Sequence, residues 1–182
     1  MSFGVSAGSI GVILHTGWAG AAVASMIGLV IGLIYHVAAT RPNIAAAADV
    51  LSALLATLIA TAIASHGMPL ALRSVMISSL IVLMPGMTLT TAVRELSSQH
   101  LISGTARMMG AVATLLKLAF GTIAASQICS LLGWVPVVSP EADVPRWTEW
   151  LAVLGGSFAF AVLFGSPRRY VPVVVEIGRA HV

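Results

Sequence analysis

The sequence predicts an all-α, polytopic membrane helix bundle, and three observations carry that reading. Hydrophobic residues make up 58% of the 182 positions and charged residues only 8%, whereas a soluble domain is about one-quarter charged. Mean hydropathy is +1.01, with the apolar residues gathered into long uninterrupted blocks. One block is broken by Pro85-Gly86 and followed by a short polar-faced stretch. The bundle therefore includes a Pro-Gly-broken helix and a short amphipathic re-entrant or interfacial helix.

Taken in order, residues 1–16 open with Phe3–His15, an apolar stretch too short to cross about 30 Å of hydrocarbon. It reads as the remnant of a first transmembrane helix or as a re-entrant stub. Residues 17–134 form the main bundle, with spans over about 18–38, 44–65, 71–85 and 104–134 and a short helix over 88–97. Trp18 and Tyr35 sit near the ends of the first of these, where amphipathic rings favour the interface. Arg41-Pro42-Asn43 separates it from the next, and His66-Gly67 ends that one, glycine being a good terminator. Residues 135–146 form a connection carrying Glu141 and Asp143, and a further helix opens at Trp147 within 147–175. The tail 176–182 matches the translation of a sequencing adapter and is set aside as non-native.

Alternating the spans puts Arg41, Arg94, Arg107, Arg168 and Arg169 on one side and Arg73 and Arg146 on the other. The excess of basic residues makes the first side cytoplasmic and leaves the 135–146 connection external. The formal charge of +3 comes from scattered residues. Without a basic stripe, nucleic acid is excluded as a partner. The single cysteine, Cys129, lies in an apolar run and reads as packing. His15, His36, His66 and His100 fall near span ends without metal-ligand spacing, so neither a metal nor a cofactor is expected. Trp134, Trp147 and Trp150 read as interface anchors and the eight methionines as gap fillers. Gly4-x-x-x-Gly8 and Gly28-x-x-x-Gly32 allow close helix approach but identify no function.

The informative stretch is Leu83–Leu96. Pro85 lacks a backbone donor and Gly86 is permissive, so the helix should break there, and the freed backbone groups must line protein or a watery cavity. Thr88, Thr90, Thr91 and Arg94 then fall on neighbouring turns of the restarted helix. Two readings stay open. Arg94 could hold a substrate carboxylate bidentately while threonine hydroxyls take its other polar groups; alternatively, Arg94 and Glu95 simply face cytoplasmic water from an interfacial helix. Asp49 lies early in the 44–65 segment, as a proton-exchanging intramembrane acid or as a helix-start carboxylate. Lys117 lies near midplane if its helix enters the membrane at Arg107, or snorkels if entry is nearer Thr114. Asp49, Glu95 and Lys117 are thus the candidates for proton coupling.

The run Pro85-Gly86-x-x-Leu89-Thr90-x-Ala92-x-Arg94-Glu95-Leu96, followed by Ser103-Gly104-x-x-Arg107, resembles the bacterial threonine/serine exporter family. The resemblance implies two related five-helix halves, each with a Pro-Gly break in its fourth helix, preceded by a soluble domain. It covers roughly Gly17–Ala125 as the first half, with Trp147–Val175 as the opening helix of the second. The soluble domain and a second Pro-Gly element are absent, so the chain reads as a fragment. The function implied is a multi-pass secondary transporter of the bacterial inner membrane. It would export threonine, serine or a similar small carboxylate, coupled to protons, with lipid, substrate and a second half or another copy as partners. The alternatives are a subunit of a dicarboxylate (succinate-type) exporter or a non-transporting assembly subunit. An intramembrane enzyme would need a His-Glu-x-x-His, paired aspartates or a serine–base set, and the sequence has none.

Overall fold

A computed structural model describes residues 2–140 and 145–163, apart from the side chain of Arg146. The expectations placed on Glu141, Asp143, Arg168, Arg169, the helix beyond Leu163 and the 176–182 tail lie outside the described residues. Seven α-helices occur among them: α1 (Ser2–Ile13), α2 (Gly17–Ala38), α3 (Pro42–Ser65), α4 (Leu72–Leu80), α5 (Gly86–Ser97), α6 (Leu101–Leu131) and α7 (Arg146–Leu163). A single 3-10 turn, Ile81–Leu83, extends α4. Three helices, α2, α3 and α6, are long and apolar enough to cross a membrane. The α4 segment and α5 qualify together as a fourth crossing, bent by 60°. The chain is a membrane helix bundle with a broken helix, as its composition requires.

The core is built from small and β-branched residues. Ile27 and Ile31 of α2, Ala53, Ala56 and Ala60 of α3 and Val75 of α4 are almost completely enclosed. Lipid tails are as apolar as leucine, so such helices associate by close packing rather than by escape from water. Alanine permits that closeness along α3. Many larger apolar side chains point outward instead, among them Leu33, Met109, Leu116 and Phe120.

The two glycine pairs face one another. Helices α1 and α2 run antiparallel, and a Cβ built on Gly28 would lie 2.6 Å from the Phe3 carbonyl oxygen and 3.0 Å from the Gly4 Cα. One on Gly8 would strike the Ser25 hydroxyl, and one on Gly4 would sit 2.7 Å from Leu29. The turn between the helices needs a left-handed residue, supplied by His15 at φ 52°. His15 and Thr16 return their amides to Val12 and Gly11, satisfying the last carbonyls of α1.

Helices α3 and α6 instead run parallel. Asp49 meets Lys117, Ala53 meets Gly121, and the His66 ring stands edge-on to Trp134 at 5.8 Å. The residue numbers differ by 68 in each pair, so one register holds along the whole contact. At the His66 end, the Val137 amide bonds the Ala64 carbonyl at 3.0 Å, and Leu70 bridges to Val138 in parallel fashion. The register sets Pro42, where α3 begins, level with residue 110 of α6. The first turns of α6, Leu101 to about Met109, therefore project beyond α3 at the Arg41 end, where α5 packs against them.

Candidate functional site

Three side chains from three helices meet near the Arg41 end. The Tyr35 hydroxyl, from α2, donates to one carboxylate oxygen of Asp49 on α3 at 2.5 Å. The ammonium of Lys117, on α6, lies 3.5 Å from the other oxygen. Asp49 is mostly enclosed, its side chain 19% exposed, whereas Lys117 remains 44% exposed. The register fixes the level of Lys117 relative to α3. It sits level with Asp49, seven residues from the start of α3, or about 10 Å along the helix axis. The two charges thus lie at one level, about two turns into α3. The Tyr35 ring is held from its far side by Phe3, stacked at 5.8 Å. One turn beyond Asp49, Ser52 is completely buried, and its hydroxyl has no partner.

The second polar region lies where α5 crosses the projecting turns of α6. Pro85 caps α5, and Leu89 donates to its carbonyl. Gly86 adopts no positive φ, and a Cβ there would meet nothing. The break thus rests on proline's missing donor, and Gly86 is not required for its permissiveness. Helix α5 starts at Gly86 rather than at Thr88. It ends in a Schellman arrangement, with Gln99 left-handed at φ 62° and the His100 amide bonded to the Glu95 carbonyl. Leu96 packs over Gly104, and Glu95 pairs with Arg107 at 3.0 Å.

This helix divides its candidate residues between two sides. Thr88, Thr91 and Glu95 are half-buried, on the side of the enclosed Ala92, whereas Thr90 and Arg94 are exposed. The Thr90 hydroxyl bonds the Met87 carbonyl. Arg94 makes no ion pair among the described residues. It lines an open groove of about 400 Å³ with Glu95, Ser98, His100 and Ser103.

The structure therefore joins Asp49 to Lys117 and holds Glu95 apart with Arg107. It keeps Thr88, Thr90, Thr91 and Arg94 on α5, away from the Asp49 cluster. Tyr35 and Ser52 are the residues that sequence reasoning missed. Tyr35 read as an interface ring, and nothing local to Ser52 marks its burial. A contact between two helices leaves no signal in the sequence of either one alone. Cys129 is buried and free, and no group of His, Cys, Asp or Glu able to hold a metal forms among the described residues.

A family model described as "Putative threonine/serine exporter" matches residues 1–129. That span contains α1 to α5, nearly all of α6, and both polar regions. Neither the curated proteins nor the solved structures contain a match to the chain.

Proposed function

Because the chain belongs to the threonine/serine exporter family, we propose that it moves threonine and serine outward across the bacterial inner membrane in exchange for protons. The family is one of exporters rather than enzymes. The observation that carries the reading is Asp49, a carboxylate about 10 Å inside a spanning helix with a base and a phenol on its two oxygens. Ionisable groups at that depth are costly in lipid and mark ion or substrate paths. All-helical crossings also fit the inner membrane, since outer-membrane spans are closed barrels.

In this reading the Arg41 end faces the cytoplasm. Arg94 meets the substrate carboxylate in the groove at the mouth, with Thr88, Thr90 and Thr91 on the same helix. Asp49 exchanges the proton deeper in, and Lys117 and Glu95 set the local charge. Lys117 is half-exposed within the span, so a second half or another copy completes the path on that side.

The test is threonine efflux from cells loaded with a threonine dipeptide and expressing the complete gene. Expression should speed efflux, and a protonophore should abolish the gain. Unchanged efflux with the protein present in the membrane would overturn the reading. Arg94→Lys keeps the charge but loses the planar fork. It should cut export about tenfold or more, the scale of a charged hydrogen bond, while leaving insertion intact. Normal export by that variant would remove Arg94 from the path.

A further inference from the structure

We infer that the Asp49–Lys117 pair is the inner binding site for the substrate's zwitterionic head, with Ser52 reading the side-chain hydroxyl; this rests on the exporter reading above. Asp49 takes the ammonium and Lys117 takes the carboxylate, each exchanging the other for the substrate group of matching charge.

Four observations support the assignment. The first is charge balance. One acid and one base on facing helices sum to zero, as an amino acid does, so the substrate replaces one ion pair with two and adds no net charge. A dicarboxylate would instead leave an excess negative charge in a medium that penalises it. The second is the looseness of the pair. At 3.5 Å it is longer than the 2.7–2.9 Å typical of charge-assisted bonds. Lysine's four-carbon stem lets the ammonium move aside, since it is a point charge on a flexible arm.

The third is Tyr35. Its hydroxyl holds one Asp49 oxygen from α2 while Phe3 holds the ring. The carboxylate therefore keeps its place when Lys117 swings away. The fourth is Ser52, whose buried hydroxyl lacks a partner, a costly condition inside a protein. It lies one turn from Asp49, about 4.5 Å along the axis, a separation that a β-hydroxy amino acid can span between ammonium and hydroxyl. Ser52 thus separates threonine and serine from alanine-like substrates.

The test uses the complete protein in liposomes and follows exchange of labelled L-threonine. Competitors each lack one group: threonine methyl ester the carboxylate, 3-hydroxybutyrate the ammonium, and 2-aminobutyrate the hydroxyl. In the wild type each should compete about tenfold or more weakly than threonine, as loss of one charged or buried hydrogen bond predicts. Succinate should not compete. Lys117→Met should weaken threonine by a similar factor yet bind the cationic methyl ester as well as or better than the wild type, and Ser52→Ala should weaken threonine without weakening 2-aminobutyrate. Retained binding of the matched analogue shows each variant folded. If either variant does not fold, the wild-type competition series decides.

Strong competition by succinate, or equal threonine binding by wild type and Lys117→Met, would overturn the site while leaving the exporter reading intact. No threonine exchange by the wild type would instead overturn the exporter reading itself.

Discussion

The α1–α2 hairpin and the α3–α6 pair both bring helices close through small residues, but only one places charge in the contact. Along α1 and α2, glycine meets backbone at several levels, with Gly28 against Phe3 and Gly4, and Gly11 against Ala21. Along α3 and α6 a single glycine, Gly121, sits under Val50 and Ala53, and one turn away lies the Asp49–Lys117 pair. The first contact brings backbone against backbone and carries no ion pair among the described residues. The second is held partly by an interaction that another ion can replace. Close packing builds the frame, and the Asp49–Lys117 pair is where charge interrupts it.

Gly28→Leu should break that comparison most severely. Its Cβ would overlap the Phe3 carbonyl, which belongs to backbone and cannot move aside. The cost should be on the order of 3 kcal/mol or more, read as loss of monodisperse protein in detergent. A variant that purifies normally would show that the hairpin is not tightly closed. Asp49→Asn should leave the frame standing and stop export. The lone Lys117 can reach toward the interface, so the stability cost should be about 1–3 kcal/mol, below that of a fully buried pair broken. Thermal unfolding in detergent, followed beside efflux, separates the two effects.

Tyr35→Phe keeps the stacked ring and removes one hydrogen bond. It should cost about 1 kcal/mol of stability and slow export only partly. Complete loss of export would give Tyr35 a more direct part in transport. Gly110→Ala is the smallest change. This glycine lies in α6 with nothing near its missing Cβ, so alanine should be neutral or stabilise by up to about 1 kcal/mol. Destabilisation in a thermal melt would mean that α6 has a close neighbour at residue 110.

The bundle itself was legible because hydropathy is a local property. So was the break, since Pro85 acts on its own backbone whatever surrounds it. The limits of α5 and α6 were less legible. The left-handed turn that divides them falls on Gln99, a residue that carries no turn signature, and α6 therefore starts three residues before Gly104. Asp49 and Lys117 each stood out as charges in apolar runs, yet their partnership did not. It depends on a parallel register between helices separated by two others. The place of α5 beyond the end of α3 depended on how far α6 extends, which its length of 31 residues allows but does not fix.

The two ends of the α3–α6 contact differ in kind. Near His66 the connecting segments are joined through main-chain amides and carbonyls, which carry no net charge and do not respond to a passing ion. Near Arg41 no such bond joins the two helices among the described residues, and an ion pair stands in its place. A pair fastened in this way works as a clothes-peg, with its spring at one end and its jaws at the other. From His66 to Asp49 the lever arm is about 26 Å, so a tilt of only about 5° would part the jaws by about 2 Å. Small angular play at the fastened end would thus open space for one water-sized or amino-sized group at the free end.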